Sequence, residues 1–498
     1  MKEADIKEKP LAEVLAQFPM GSAEETAKAE ALIAAEIKKN RRKIIVLDDD
    51  PTGVQTVHGI PVYTGWTKES IAAGFDEPGP LFFILTNSRG MTAAETVAVH
   101  AEIGKTIART AAQKNRDFII ISRSDSTLRG HYPLETQTLR QAIAAETCDP
   151  VSRYDFDGEL ICPFFVEGGR YTAGNIHYVK TGEMLVPAAQ TEFAKDKTFG
   201  YQHSDLTEWV EEKTSGEFPA SSVTAISLED IRQGGVERVT AILNGVNNFG
   251  KSRSCGTVIL NALDYSDIKI ACAALYCALD GGKHFMIRSA AAIPKVLGGI
   301  SDRPLLTRAE LVGSAIGNAG SQRGGLIVIG SHVHKTTRQL ELLLAKKNIT
   351  ALEFNTHLVM DDEKFAGEIH RVQQCCDEAL EAGRTTVIFT SRNRFDLNTG
   401  NKEDELRVAV KIAAAVTSFV SNLKDKPRFI IAKGGITSSE IGTIALKVKK
   451  ALVLGQVLPG VPVWLTGPES RFPNTPYIIF PGNVGEEDSL KKIADMLE

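Results

Sequence analysis

The chain has 498 residues, which is too long for one ordinary hydrophobic core and predicts about two or three domains. Hydrophobic residues make up 43% and charged residues 24%, a balance that is typical of globular proteins and excludes a disordered or fibrous chain. The 57 Lys and Arg residues stand against 62 Asp and Glu residues, for a net charge of -5. This charge excludes a general nucleic-acid binder, which needs a basic face.

The cysteines and the apolar runs indicate the compartment. The seven cysteines include no Cys-x-x-Cys pair, so they support neither a disulfide framework nor a zinc site. The N-terminal residues contain no apolar signal region, and no apolar run approaches the roughly 20 residues that a membrane helix needs. We therefore expect a cytoplasmic protein with no membrane partner.

The first half of the chain predicts an arm followed by a parallel sheet. Residues 1–42 are charged and amphipathic and predict a helical N-terminal arm. Apolar runs then appear at 43–50 (KIIVLDDD), 80–90 (PLFFILTNSRG) and 117–126 (DFIIISRSDS), and residues 92–114 carry helical periodicity. Strand, helix and strand in this order predict βαβ units and a parallel sheet.

A second series of apolar runs begins near residue 324 and continues at 385–392, 428–435 and 477–483. The preceding segment 301–323 is rich in Gly, Ser, Ala and Arg and predicts a linker. The sequence thus predicts an α/β fold with two domains, 43–300 and 324–498, each with a mainly parallel sheet flanked by helices. We expect the active site in the cleft between them.

Acidic and basic residues follow two of the predicted strands. Asp49 and Asp50 lead into Pro51-Thr52-Gly53, and the later strand is followed by Arg123, Asp125, Ser126, Thr127 and Arg129. Ligands of open parallel sheets bind beyond the carboxyl ends of the strands. Carboxylates beside guanidinium groups suit a polyhydroxylated acid, because Arg holds a carboxylate and Asp accepts from hydroxyls. The alternative is structural: the aspartates cap the turn and Arg129 pairs with them.

Three glycine-containing junctions in the second half predict a nucleotide phosphate site. They are Gly330-Ser331-His332, Gly434-Gly435-Ile436-Thr437 and Pro481-Gly482-Asn483. Glycine allows close backbone approach to an anion, and the amides at a helix start favour negative charge. The alternative at each junction is turn geometry alone.

Other motifs are incomplete or absent. No G-x-G-x-x-G follows a strand, which disfavours a nicotinamide enzyme, and the P-loop pattern lacks its second glycine. His332 and His334 have no evident third ligand, so no metal site is predicted. Residues 168–170 and 175–177, which include Arg170 and His177, predict a loop that could serve as a substrate lid.

Several of these segments together resemble the four-carbon acid sugar kinase family, once known as a domain of unknown function. Asp49 to Gly53 is similar to its DDxTG motif, and Arg123 to Gly130 resembles K-x-D-S-T-L-R-G, the most specific match. The segments of the second half that are similar to those of the family's nucleotide domain are Gly330-Ser331, Thr336, Gln339, Gly434 to Thr437, Pro459 to Pro462 and Gly482-Asn483. The resemblance covers residues 43–495 in the family's order.

The resemblance implies an acid-sugar domain, an ATP domain and phosphorylation of a tetronate-type hydroxyl with Mg²⁺ and ATP. The implied catalytic residues are Asp49, Asp50, Asp125 and Arg129. The implied substrate-binding residues are Thr52, Gly53, Arg123, Ser126, Thr127 and Arg170. The implied nucleotide-binding residues are Ser331, Thr336, Gly434, Gly435, Ile436, Thr437, Gly482 and Asn483. The partners are then a small sugar acid and ATP, and a homodimer is one expected assembly.

Four positions depart from the family pattern: Arg123 replaces Lys, His131 replaces Asn, Val333 replaces Ser and Ile436 replaces Glu. The departures at Arg123, Val333 and Ile436 motivate a rival hypothesis, a non-catalytic or regulatory protein that keeps the fold and binds a sugar acid or nucleotide. Within the kinase hypothesis, Asp49 is the preferred base, because Asp50 precedes Pro51 and is more restricted in its backbone.

Overall fold

The computed structural model describes residues 3–146, 155–246, 256–313, 323–393, 395, 397, 402–482 and 484–498. Its contacts divide the chain into two compact units. Unit 1 comprises Met1–Gly53 and Gly65–Ser301, and unit 2 comprises Val54–Thr64 and Asp302–Glu498. The segment Val54–Thr64, which lies inside the predicted first domain, therefore packs with unit 2. Residues 314–322 of the predicted linker lie outside the described residues.

The strands, β1 to β19 in chain order, are Lys9–Pro10, Arg42–Asp48, Ile60–Tyr63, Leu81–Leu85, Asp117–Arg123, Gly158–Cys162, Arg170–Ala173, Ile176–Thr181, Met184–Pro187, Thr224–Ile226, Thr257–Leu260, Phe285–Ser289, Leu326–Ile329, Ile349–Phe354, Thr385–Thr390, Ile430–Lys433, Lys450–Leu458, Val461–Thr466 and Pro476–Phe480. The helices, α1 to α16, are Leu11–Gln17, Ala23–Lys39, Lys68–Asp76, Ala93–Lys114, Leu134–Glu146, Leu206–Lys213, Leu228–Arg232, Gly235–Gly245, Tyr265–Asp280, Ala292–Leu297, Arg308–Val312, His334–Leu344, Asp362–Glu381, Lys402–Ser421, Gly435–Glu440 and Ser489–Leu497.

Unit 1 is built on a parallel sheet in the order β10-β11-β6-β12-β5-β2-β4. Its central strands are buried on both faces, which explains their continuous Ile, Leu, Val and Phe runs. Helix α4 begins with a capping box between Thr92 and Glu95, so its start is fixed by sequence. The predicted parallel sheet is confirmed.

A smaller antiparallel sheet, in the order β1-β9-β8-β7, accompanies the parallel sheet of unit 1. Strands β7 and β8 pair as a hairpin, with Tyr171 opposite Tyr178. The prediction of a loop at 168–170 and 175–177 is therefore wrong for Arg170 and His177, which lie on strands that contain Tyr, Thr, Ile and Val, residues that favour a sheet. In the N-terminal arm, β1 pairs with β9, and the helices α1 and α2 follow it.

Unit 2 combines parallel and antiparallel pairing. Strands β14, β15, β13, β16 and β19 are parallel, and β18, β17 and β3 continue the sheet antiparallel. Each unit thus has a mainly parallel sheet flanked by helices, as predicted. Within the described ranges, no helix is both long enough and apolar enough to cross a membrane.

Candidate functional site

Three acidic side chains follow one another at the carboxyl end of β2. The strand ends at Asp48, which is paired in register with Arg123 at the end of β5. Arg123 Nη1 lies 3.3 Å from Asp48 Oδ1 and 3.7 Å from Asp49 Oδ1. Burial raises the pKa of Asp48 to about 8, although Arg123 opposes the shift. Arg123, predicted to bind substrate, is thus buried against Asp48.

Arg89, which follows β4, organises the next two carboxylates. Its guanidinium donates from Nη2 to Asp49 Oδ1 at 2.7 Å and from Nε to Asp49 Oδ2 at 3.2 Å. Its Nη1 lies 3.5 Å from Asp50 and 3.9 Å from Asp125. Sequence reasoning missed Arg89. The available signal was its position after an apolar strand that neighbours β2, the same signal that selected Asp49 and Arg123.

The environments of Asp49 and Asp50 differ. Burial raises the pKa of Asp49, although the charge of Arg89 opposes it. Burial would also raise the pKa of Asp50, but Arg89 and the hydrogen bonds from Thr52 bring it below its usual value. The amide of Thr52 donates to Asp50 Oδ1 at 2.8 Å. Asp50 is also the more accessible side chain, 17% exposed against 3% for Asp49.

Gly53 closes the turn that follows these carboxylates. A side chain added at Gly53 would overlap the carboxylate of Asp48. Only glycine permits this close approach between the turn and the end of β2. The glycine of the Asp-Asp-Pro-Thr-Gly pattern is therefore required by the geometry of the turn itself.

Asp125, which follows β5, supplies a further carboxylate in unit 1. Its Oδ2 accepts from Arg129 Nε at 2.7 Å and from the Thr127 hydroxyl. Although burial opposes ionisation, Arg89 and Arg129 hold the pKa of Asp125 well below its usual range. Asp125 is thus a fixed negative charge between two guanidinium groups.

Two cationic side chains share one aromatic ring beside Asp125. The guanidinium carbons of Arg129 and Arg170 lie 5.1 and 5.5 Å from the centroid of Phe193. Burial and the like charge of Arg129 lower the pKa of Arg170. Among the described residues, the buried Nε of Arg170 has no hydrogen-bond partner. Two guanidinium groups held close together suit the binding of an anion.

His177 and Ser126 hold the segment after β5 in place. His177 Nε2 lies 2.8 Å from the Ser126 carbonyl and therefore donates, so Nδ1 accepts from the Thr172 hydroxyl at 3.0 Å. Burial lowers the pKa of His177 to about 4, so the ring is neutral near pH 7. The Thr127 carbonyl accepts from the Tyr201 hydroxyl at 2.8 Å. These contacts hold Ser126 and Thr127 of the predicted segment through their backbone carbonyl groups.

In unit 2, two of the three predicted glycine junctions meet at Ser331 and Thr336. The Thr336 hydroxyl donates to the Gly482 carbonyl at 2.9 Å and lies 3.3 Å from Ser331 Oγ. A Cβ built on Gly482 would lie 3.0 Å from Ser331 Oγ. Helix α12 has no side-chain cap at its N-terminus, so the amides of its first turn are available to an anion.

The third junction joins the same group. Gly434 has a φ of +118°, a conformation that favours glycine, and a Cβ built on it would lie 3.1 Å from the Ser331 Cβ. The Thr437 hydroxyl lies against Gly330, where a side chain would overlap it. Ser331, Thr336, Gly434, Thr437 and Gly482 are therefore neighbours. Asn483 lies outside the described residues.

Beside these junctions lies a cavity of 320 Å³, lined by Gly330, His332, Thr356, Thr390, Phe395, Leu397, Glu405, Val408, Ala409, Ile412, Ala413, Val416, Thr417, Ile436, Thr437 and Glu440. Its walls are mostly aliphatic, from one face of α14. Glu440 contributes a carboxylate that accepts from the Thr417 hydroxyl at 2.8 Å. A mostly apolar cavity with a few polar groups is typical of a small-molecule site.

Sequence reasoning also missed Arg392, at the end of β15. Its Nη2 donates to the Ser331 carbonyl at 2.7 Å and to the Thr337 hydroxyl at 2.9 Å. Within the described part of the chain, its buried Nε and Nη1 have no hydrogen-bond partner. A spare guanidinium edge beside a glycine junction could bind an anion.

Among all the residues that the structure describes, no group of three or more His, Cys, Asp and Glu side chains is arranged for a metal ion.

Comparison with known proteins agrees with this division. The chain matches the family model "Sugar-binding N-terminal domain" over residues 44–297 and the model "Nucleotide-binding C-terminal domain" over residues 326–490. No curated protein matches the chain by sequence.

Two solved structures share the fold. Protein HI1011 of Haemophilus influenzae, of the family DUF1537, gives a TM-score of 0.58 at 14% identity, over 91% of this chain and 100% of its own. A protein of Salmonella typhimurium LT2, provisionally named a tRNA synthase, gives 0.62 at 14% identity, over 91% and 98%. At this identity, both comparisons show the fold alone.

The fold and the matched domains define a two-domain α/β protein with a sugar-binding and a nucleotide-binding domain. The chain belongs to the four-carbon acid sugar kinase family, which confirms the family resemblance.

Proposed function

We propose that the protein is an ATP-dependent kinase that phosphorylates a hydroxyl group of a four-carbon sugar acid of the threonate, erythronate or 3-oxo-tetronate type. The observation that carries this proposal is the cluster at the carboxyl ends of β2, β4 and β5. There Arg89 lies within 4 Å of three aspartates, and two further guanidinium groups lie beside Asp125. Fixed carboxylates accept from sugar hydroxyls, and guanidinium groups bind a carboxylate.

Within this mechanism, Asp50 is our choice of base, in place of Asp49, which the sequence favoured. Both oxygens of Asp49 accept from Arg89, and the side chain is 3% exposed. Asp50 uses Oδ1 for the Thr52 amide and is 17% exposed, so Oδ2 can accept from a substrate hydroxyl. Its pKa, lowered by Arg89 and Thr52, suits a carboxylate that orients the hydroxyl and takes its proton late in a loose transition state.

Arg129 and Arg170 would hold the carboxylate of the acid. Both guanidinium carbons lie within 5.5 Å of the centre of the Phe193 ring, so one aromatic ring holds the two groups close together. Asp125 keeps Arg129 oriented through its 2.7 Å hydrogen bond. A bound carboxylate would compensate the two like charges.

The junctions of unit 2 would hold ATP. The amides at the start of α12 and the loops at Gly434 and Gly482 suit the phosphates, and the 320 Å³ cavity suits the base. Mg²⁺ would arrive with ATP and would neutralise charge on its phosphates, and this ion usually takes few protein ligands. The placement of the active site between the domains stays a prediction.

The experiment is to incubate the full chain with Mg-ATP and a panel of four-carbon acids and to measure ADP. A rise in ADP that requires one acid, together with a phosphorylated product by mass spectrometry, is expected. The Asp50→Asn protein serves as the matched control, because it keeps the size of the side chain. No acid-dependent ADP formation, with both ligands bound in calorimetry, would instead identify the rival, a non-catalytic binding protein. The departures at Arg123, Val333 and Ile436 are the observations that favour this rival.

A further inference from the structure

Lys433 ends β16, immediately before Gly434, and none of its surface is exposed. Its Nζ donates to the Pro481 carbonyl at 2.7 Å and to the Gly482 carbonyl at 3.4 Å. It also lies 3.7 Å from the centroid of the Phe480 ring. Lys433 therefore lies next to two of the three glycine junctions. Gly434 follows it in the chain, and the amine of Lys433 contacts the carbonyl group of Gly482.

Among the described residues, no acidic side chain forms an ion pair or a hydrogen bond with this amine. The neighbouring strands β13 and β19 contribute aliphatic and aromatic residues, including Tyr477, whose hydroxyl donates to the Ser438 carbonyl. On α15, Glu440 accepts from Thr417. The charge that acts on Lys433 is another cation, Lys335 on α12.

We propose that Lys433 is a positioning residue whose buried positive charge is compensated by the phosphates of the nucleotide, so that nucleotide binding protonates its amine. The proposal rests on the nucleotide site proposed above and extends it to a linkage between binding and pH. Burial, together with Lys335, lowers the pKa of the free amine to about 7.

The contacts of Lys433 allow the charge to change without a change of structure. A neutral amine has two N–H groups, which are enough for the two carbonyl oxygens. The third N–H of the ammonium can face the Phe480 ring. Loss of the proton thus removes the charge and keeps the loop in place. An arriving polyphosphate favours the charged form, so affinity falls as the pH rises above 7, by up to about tenfold per pH unit.

The test is calorimetric titration of the full chain with Mg-ADP at pH 8.5, where the nucleotide phosphates are fully ionised. Titrations in two buffers of different ionisation enthalpy give the number of protons taken up. We expect about one proton per ADP for the unchanged protein. Lys433→Met should abolish the uptake and weaken ADP binding about tenfold at pH 6.5. Lys433→Arg keeps its charge and should bind ADP without proton uptake.

Lys43 provides a matched control. It is also fully buried, its Nζ donates to the Glu77 and Gly79 carbonyls at 2.6 Å, and burial lowers its pKa to about 8. Lys43→Met should leave the proton uptake unchanged. Binding of ADP without proton uptake by the unchanged protein, or loss of uptake in Lys43→Met alone, would overturn the assignment. If Lys433→Met does not fold, the proton uptake of Lys433→Arg and of Lys43→Met tests the assignment instead. Absence of ADP binding at any pH would overturn the nucleotide site itself.

Discussion

Arg89 and Asp49 form a two-point contact, with hydrogen bonds of 2.7 and 3.2 Å between one guanidinium edge and both carboxylate oxygens. Both residues follow neighbouring strands, β4 and β2, so the contact ties two strand ends together. The same guanidinium also faces Asp50 and Asp125. The relative positions of three carboxylates therefore depend on one arginine.

Arg89→Lys keeps the charge but loses the planar fork, so it should displace the carboxylates. We expect the rate of sugar-acid phosphorylation to fall about ten- to a hundredfold, as for the loss of a charge-assisted hydrogen bond. Steady-state kinetics measure this. The control is Arg109→Lys, in which an exposed arginine loses its two-point contact with Glu146. Equal effects in the two variants would refute a special role for Arg89.

The two aspartates after β2 are expected to respond differently to amide substitution. Asp50→Asn should lower turnover about a hundred- to ten-thousandfold and leave the melting temperature nearly unchanged. Asp49→Asn should lower both the turnover and the melting temperature. The substitution removes the negative partner of Arg89 and places an amide N–H group against its guanidinium in a buried position. Kinetics and thermal melts of both proteins distinguish the roles. Normal turnover of Asp50→Asn with inactive Asp49→Asn would restore Asp49 as the base.

Arg129 is expected to serve the acid substrate. Arg129→Lys cannot present two parallel donors to a carboxylate, so the KM for the acid should rise about tenfold or more while the KM for ATP stays constant. Thermal melts check the structural alternative, in which Arg129 acts through Asp125 alone. A large fall in melting temperature with an unchanged KM for the acid would support that alternative.

Neighbouring alanines on α14 test the cavity of unit 2. Ala413 lines it, whereas Ala414 is exposed and is not among the lining residues. Ala413→Trp should fill the cavity and weaken ATP binding at least about tenfold, because the added ring occupies the volume proposed for the base. Ala414→Trp should bind ATP normally. Calorimetry on both folded proteins decides, and equal affinities would place the base elsewhere.

His177 makes acid stability a measurable property of unit 1. Its pKa is lowered to about 4 by burial, so the folded state binds fewer protons than the unfolded state between pH 6.5 and 4. Its contribution is fully present above pH 6.5 and is lost as the pH falls, by about 2 to 3 kcal/mol at pH 4.5. Denaturant unfolding of His177→Gln should therefore depend less on pH in this range. An unchanged dependence would contradict a neutral buried ring.

The sequence was sufficient to predict which site residues lie at the strand ends, but it did not identify every side chain that contacts them. Asp49, Asp125 and Ser331 could be found because polar residues stand out directly after apolar runs. Arg89 occupies an equivalent position, but a single arginine carries no motif. The hairpin that holds Arg170 and His177 was missed because its strands are short and buried along most of their length, which leaves little hydrophobic periodicity in the sequence.

The antiparallel part of unit 2 could not be predicted from local patterns. Strand β3, near residue 60, pairs with β17, near residue 450, and no short-range signal encodes such a pairing. The cavity beside α14 depends likewise on helix packing. The proposed roles of the site residues remain predictions. Sequence spacing identifies candidate residues, and the geometry of their side chains reduces the number of candidates without assigning a role to each.

The path of the chain through Val54–Thr64 limits how the protein can be divided. A fragment that begins at Asp302 lacks β3, so residues 450–453 of β17 lose their partners at 60–63. Such a fragment presents an open strand edge and is prone to self-association. Supplying the missing strand as a peptide, or fusing residues 54–64 to the fragment, should restore a monomer that size-exclusion chromatography can detect. The nucleotide-binding half is thus encoded by two separated stretches of the gene, and any exchange of halves between relatives must move both.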